Sequence, residues 1–383
     1  MPSAAPHAAL PDAPDATPFP SPGILALEGG LVLSGELHGS RLPADGDLVF
    51  TTAATGWGEI LTDPSYAGQM VVLTHPMAGS YRIARSELES ARVHARGLVV
   101  TRLVDPPPGP GASLDDLLRE GGIPAISGID TRALTLLLRN GAARRATIVP
   151  AGIGRHEAVE RARSSPLWES VDHVAAVAAR EPFRIAADGE RRATAVLVDY
   201  GVKRSLLAAL TARGIEVVGL PPDATAADVV AHDPDLVVLS PGPGDPSRMA
   251  RQIEAVRELA AAAVAGGTPI LGICLGHQLL GLAAGASTRR LAVGHHGGNH
   301  AVLEATTGRV DIGAHNHEVE VVDGPALAEA GYRVSHRDLN DGTVEGLSHA
   351  SGRIASVQFH PEGAPGPIDA ARIFDLALDG AMA

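Results

Sequence analysis

The sequence predicts an α/β chain in two parts, a strand-rich α+β first half followed by a domain with a mostly parallel central sheet. Three observations predict it. From Ile24 to Val104, short β-branched or alternating runs succeed one another between Gly, Asp and Pro. At residues 178–193, "AAREPFRIAADGERRA", apolar periodicity lapses and charge rises. Beyond that point near-continuous apolar strands alternate with helical patterns, as in a parallel sheet covered on both faces. The expected division is a tail at 1–22, a first domain at 23–180, a linker at 181–193 and a second domain at 194–383.

Residues 1–22, "MPSAAPHAALPDAPDATPFPSP", carry no Lys, no Arg and no apolar run. They read as a disordered tail rather than a signal or transit peptide. The strands of the first half are "ILALEGGLVLSGEL", "GDLVFTT", "QMVVLTH" and "RGLVVTRLV". The loop "DPPPGPGAS" stops at Ser113, an N-cap with Asp116 three residues on, and the helix "LDDLLREGG" follows. "TRALTLLLRNG" is a second helix, with Asp130 as N-cap and Gly141 past its end.

In the second half "TAVLVDYG" is a continuous apolar strand, and "VKRSLLAALTARG" places Val202, Leu206 and Leu210 at helical spacing. "IEVVGL", "DLVVLS" and "TPILGIC" are strands, "AADVVAH" a short helix and "MARQIEAVRELAAAAVAGG" a long one. The last strand runs into the helix "GHQLLGLAAG".

Composition narrows the function. Of the 383 residues 45% are hydrophobic and 20% charged, the balance of a globular protein. With 3% aromatics, the cores must be built from Ala, Val, Leu and Ile. A single cysteine excludes an intrachain disulfide and fits a reducing, cytoplasmic compartment. The net charge of −13 argues against a nucleic-acid or anionic-membrane surface. A membrane span is not expected either, because His277 and Gln278 interrupt the most apolar window.

Ligands on a parallel sheet sit at the carboxyl ends of its strands, and three such ends carry unusual residues. "DLVVLSPGPGDP" delivers Gly242 and Gly244, whose backbone can approach a ligand closely. "TPILGICLGHQ" places Cys274 on a sharp strand-to-helix turn, with Gly272 two before it and Gly276 two after. The helix N-terminus behind it favours a thiolate. The Leu275 N–H that follows suits an oxyanion hole. Near the C-terminus "RIASVQFHPEGAPGP" supplies His360 and Glu362, which as positions i and i+2 of a strand would share a face. A thiol needs a base and the base needs an orienting group, so the expected triad is Cys274, His360 and Glu362.

"GICLGHQ", "LSPGPGDP" and "VQFHPE" resemble class I glutamine amidotransferase domains. "TTAATGWGEILTDPSYAGQMVVLTHP", "VHARGLVV", "GIDTRALTLLLRNGA", "DYGVKRSLL" and "GHHGGNHAV" are similar to the carbamoyl-phosphate synthase small-chain family. The resemblance implies hydrolysis of L-glutamine through a Cys274 thioester, with His360 moving the proton. It also implies an oxyanion site at Leu275 and Gly242, and Gln278, Gly244 and Asn316 holding the glutamine. Ammonia would pass to a separate large subunit in a heterodimer or higher assembly. ATP and Mg2+ are expected there, since this chain has no G-x-x-x-x-G-K-[ST] loop and no cofactor of its own is expected.

The chain departs from the family pattern in places. Ala53 stands in "TTAATG" where a substrate-contacting Ser is usual, and "HNHEVEV" replaces "QNHGFAV". That puts Glu318 and Val319 beside the pocket. The expectation is weaker glutamine binding, by about 0.5–1.5 kcal/mol for one lost hydrogen bond, and a Glu318 carboxylate that repels the substrate or points into solvent. The alternative reading is therefore a diverged paralogue, a weakly active or non-catalytic partner subunit. The histidines of "GHHGGNH" and "HNH" invite a metal or HNH-nuclease reading. No Cys joins them and no HExxH helix is present, so they read as a polar network with no metal ligand among them.

Overall fold

The computed structural model describes residues 20–141 and 144–378. The tail expected at 1–22 lies outside the described residues up to position 19, and Ser21 and Pro22 already belong to the first strand, Ser21–Leu27.

The first half closes into a seven-stranded barrel. Its strands are, in spatial order, Ser21–Leu27, Val32–Gly39, Pro124–Ser127, Gly97–Val99, Gln69–Leu73, Ala44–Thr51 and Arg145–Pro150. "QMVVL" is apolar throughout because both of its faces are buried. Met70 and Val72 pack with Leu25, Leu48 and Ile148, whereas Val71 and Leu73 pack against Trp57, Ile60 and Leu61 of the helix Trp57–Thr62. The helix Leu114–Gly121 starts in a capping box, Ser113 and Asp116 each accepting the other's backbone N–H at 3.0 Å. Asp130 caps Thr131–Arg139 through the Ala133 N–H at 2.9 Å.

The second half is built on a ten-stranded sheet. Five strands at its centre run parallel, in the order Ile215–Leu220, Ala193–Val198, Leu236–Leu239, Ile270–Ile273 and Ile354–Val357. Alternate residues of these strands face two separate cores, Val196, Val198 and Leu239 on one side and Ala195, Leu197 and Val238 on the other.

Antiparallel strands extend both edges. On one lies Phe183–Ile185, inside the stretch read as a linker; it pairs with Val217–Gly219, and Gly219 leaves the room that the Phe183 ring fills. Three residues among charges show no alternation, which is why the sequence reading passed over them. On the other edge come Val344–His349, Tyr332–Asp338, Thr288–Glu304 and Val310–Val321. The last two form a long hairpin, rich in His, Gly and Glu, that packs toward the barrel. Among the described residues no helix is long and apolar enough to cross a membrane.

Candidate active site

Cys274 stands where the strand Ile270–Ile273 turns into the helix Leu275–Ala283. Its backbone is held at φ 51° and ψ −105°, a strained conformation for any residue with a side chain. The turn is so tight that a Cβ on Gly276 would sit 2.3 Å from the Leu239 carbonyl, and one on Gly272 2.9 Å from the Gly276 carbonyl. Among the described residues neither the Leu275 nor the Gly242 N–H has a hydrogen-bond partner. Two donors are thus left beside a buried sulfur.

The strand that leads to His360, Ile354–Val357, is the immediate parallel neighbour of Ile270–Ile273, and the Cys274 N–H donates to the Val357 carbonyl at 2.8 Å. His360 and Glu362 lie just past that strand, correcting the expectation that they share its face. His360 bridges to Ala314, and the chain then turns so that the Gly363 N–H returns to the His360 carbonyl. The turn achieves what the strand geometry was expected to do: His360 Nδ1 donates to Glu362 Oε1 at 2.8 Å. Nε2 is left buried with no hydrogen-bond partner among the described residues.

Electrostatics hold the pair ionised. Burial and the Lys203 charge oppose a charge on the His360 ring, but the Glu362 carboxylate outweighs them, and the ring is raised to about 10. Burial likewise opposes the Glu362 charge, yet Lys203 and His360 together hold that carboxyl down at about 2. Lys203 is fully buried, its Nζ 3.3 Å from Glu362 and donating to the Gly363 and Ala364 carbonyls at 2.9 Å each. The Glu362, Asp63 and Glu89 charges overcome that burial and raise the ammonium above its ordinary range. Lys203 escaped the sequence reading, although "DYGVKRSLL" contains it.

Gly242, Gly244, Cys274, Gln278, Asn316, Glu318 and Val319 all line one cavity of about 20 Å3, and Ser65, Gln69 and Trp168 close it from the first half of the chain. A second cavity of about 20 Å3 lies across Asn316, beside His360 and Lys203. Each has room for a single water, so admitting an amino acid requires this wall to move. Gln278 is tied down, its Nε2 donating to the Val319 carbonyl at 2.9 Å and to Gln358 at 3.1 Å. Asn316 links both halves of the chain by donating to Asp63 at 2.9 Å.

Two expectations are corrected. Ala53 is not among the residues that line either cavity; it packs against the apolar cluster around Trp57. In the first cavity the first half of the chain supplies the hydroxyl of Ser65, in "LTDPSYAG", whose Oγ is buried without a partner among the described residues. Glu318 neither repels from a free carboxylate nor points into solvent. It is buried, ion-paired with Arg144 and with Arg290 at 3.2 Å, and hydrogen-bonded to His296 at 2.9 Å. Burial alone would raise its carboxyl, but His296, Arg144 and Arg290 hold it down at about 2. Neither arginine carries a local motif that ties it to position 318.

Residues 196–379 match the family Glutamine amidotransferase class-I, and residues 25–148 match Carbamoyl-phosphate synthase small chain, CPSase domain. The chain is 44% identical over 360 residues to a carbamoyl phosphate synthase small chain of Methanopyrus kandleri, covering 92% of this chain and 97% of that one. It is 41% identical over 353 residues to a carbamoyl phosphate synthase pyrimidine-specific small chain of Halalkalibacterium halodurans, covering 92% and 94%. A carbamoyl phosphate synthase small chain of Listeria innocua is 41% identical over 358 residues, covering 93% and 96%. This chain belongs to the carbamoyl-phosphate synthase small-chain family.

Proposed function

We propose that this chain is the glutaminase subunit of carbamoyl-phosphate synthase, and that Cys274, His360 and Glu362 carry its chemistry. The observation that bears most of the weight is the buried His360–Glu362 pair at the end of the strand beside the Cys274 turn. The Cys274 sulfur attacks the side-chain carbonyl carbon of glutamine, and the oxygen takes up negative charge against the Leu275 and Gly242 N–H groups. Each such donor typically lowers the barrier by about 2.7–4 kcal/mol. As the tetrahedral species collapses the C–N bond breaks, and His360 gives its proton to the departing ammonia. Water then attacks the thioester with His360 as base, releasing glutamate and restoring the thiol.

In this reading ammonia passes to a large subunit, which makes carbamoyl phosphate from bicarbonate with its own ATP and Mg2+. The two chains form a heterodimer or a higher assembly in the cytoplasm, the reducing compartment that a thiol nucleophile needs. Gln278, Gly244, Asn316 and Ser65 hold the glutamine. The diverged, non-catalytic alternative loses its motive, because Ala53 lines neither cavity and the Glu318 charge is compensated.

The test compares glutamine with ammonium as nitrogen donor in the complex with the cognate large subunit. Cys274→Ser is expected to lower glutamine-driven synthesis by roughly 10⁴-fold or more while ammonium-driven synthesis persists. A variant that still uses glutamine at the wild-type rate refutes the nucleophile assignment.

A further inference from the structure

Four buried side chains converge on the hairpin side of the pocket wall. His295 comes from the strand Thr288–Glu304, His315 and His317 from Val310–Val321, and Glu345 from Val344–His349. One ligand-capable atom of each lies within 4.8 Å of all the others. His315 Nδ1 is 3.3 Å from His317 Nε2 and 3.6 Å from Glu345 Oε2. Glu345 Oε1 is 3.5 Å from His317 Nε2 and 3.5 Å from His295 Nδ1. These are long for hydrogen bonds. With Glu345 Oε1 as its donor atom, the contacts of 3.3–3.5 Å lie near the edge of a tetrahedron whose donors stand about 2.0–2.1 Å from a central zinc and about 3.3–3.4 Å apart, and the remaining edges lie within 4.8 Å.

The positions of the protons point the same way. A carbonyl can only accept, so the contact of His317 Nδ1 with the Val319 carbonyl at 3.0 Å puts the ring proton on Nδ1 and leaves a lone pair on Nε2. The contact of His295 Nε2 with the Asp341 carboxylate at 2.9 Å puts a proton on that nitrogen and turns Nδ1 toward Glu345. His317 Nε2 and His295 Nδ1 both face the Glu345 carboxylate, which is fully buried. His295 Nδ1 and Glu345 Oε2 have no hydrogen-bond partner among the described residues. A cation seated where these atoms meet, in place of a proton on His295 Nδ1, would bind both imidazoles and the carboxylate at once. Asp341 and the Val319 carbonyl are the outer partners that orient ligating imidazoles in metal sites. The neighbouring His300 and Asp338, bonded to each other at 2.9 Å, form a second group with His295 and His315, but His300 is only half-buried there, whereas all four residues of the first group are buried.

We propose that His295, His315, His317 and Glu345 bind a divalent transition-metal ion, zinc by this ligand chemistry, in a closed structural site. Three imidazoles and one carboxylate fill a four-coordinate shell, so no corner is left for substrate. The ion ties three strands together directly behind Asn316, Glu318 and Val319. The Val319 carbonyl that orients His317 is also the acceptor of Gln278. The ion thus stiffens the wall of the glutamine pocket without entering its chemistry, and the proposal does not depend on the glutaminase reading.

The test is elemental analysis of the full-length chain, purified without chelator from zinc-supplemented medium. About one equivalent of zinc per chain is expected. Exchange for cobalt should give the visible bands of a four-coordinate ion. His315→Gln installs the residue that the family pattern "QNHGFAV" has at this place, so the variant is expected to fold, with an unchanged circular dichroism spectrum, and to retain at least about tenfold less zinc. Two outcomes overturn the proposal. One is a full-length chain that carries less than about a tenth of an equivalent and takes up no cobalt, a proton filling the gap instead. The other is a folded His315→Gln chain with the wild-type zinc content.

Discussion

The two sides of the glutamine pocket are held by different forces. On the side of the nucleophile, Cys274 and His360 follow adjacent parallel strands whose spacing is set by backbone hydrogen bonds between apolar residues. Among the described residues, none of the barrel takes part in that ladder. On the opposite side the wall is held by side chains that cross between the halves of the molecule: Arg144 to Glu318, Arg290 to Asp47 at 2.7 Å, and Asn316 to Asp63 at 2.9 Å. The contrast teaches that the proposed nucleophile and base are both carried by the second half of the chain, whereas the wall opposite them is built by the two halves together. Substitutions on the two sides should therefore separate, one affecting turnover and its pH dependence, the other affecting binding and stability.

The largest effect that sharpens this contrast is expected from Glu362→Gln. The Glu362 charge is what holds the His360 ring up against burial. Without it burial pushes the ring down, so the imidazolium that gives a proton to ammonia is lost at lower pH. The alkaline limb of kcat for glutamine hydrolysis should move toward acid, with kcat falling by about 10²-fold and KM little changed. An alkaline limb that stays in place would detach Glu362 from the chemistry.

Next in size is Glu318→Ala, on the other wall. It leaves Arg144, Arg290 and His296 facing one another around a vacated buried site. Removing one partner of a buried pair costs about 3–5 kcal/mol, and the lower end applies because both arginines retain some exposure. Urea unfolding should register that loss, and KM for glutamine should rise more than kcat falls. Equal stability with an unchanged KM would show that the wall does not depend on its ion pairs.

Ser65→Ala should have the smallest effect. It removes one hydroxyl contributed by the barrel, worth about 0.5–1.5 kcal/mol, so KM should rise a few-fold at constant kcat. Applying the same substitution test to Ala53, as Ala53→Ser, is expected to leave KM alone, because that side chain packs into the barrel cluster. If the Ala53→Ser change lowers KM, the assignment of Ser65 as the barrel's contact fails.

The same division explains what could be read from the chain in advance. Cys274, Gly272 and Gly276 are legible because a strained turn demands small neighbours at fixed offsets, and that demand is local. His360 and Glu362 are legible as a pair, though it is a turn after the strand that joins them. Lys203 is not, since nothing in its surroundings marks it as the cation some 160 residues away from Glu362 in sequence. Arg144 and Arg290 escape for the same reason: a lone arginine reads as surface until the fold shows which carboxylate it meets. Looking at Glu318 alone suggests a repelling or solvated charge, and only the barrel packed against the hairpin supplies its partners. The parallel centre of the sheet is evident from its apolar runs, while the hairpin of 288–321 is not, because its strands are made of His, Gly and Glu that face a polar interior.

The Cys274 N–H is bonded to the Val357 carbonyl in the middle of the central sheet. Its exchange with solvent deuterium should therefore require global opening and rank among the slowest in the chain, well behind amides in the barrel loops. Catalytic spacing in this enzyme is then as durable as the domain itself, and warming the protein should leave the nucleophile and its base aligned until the whole domain melts.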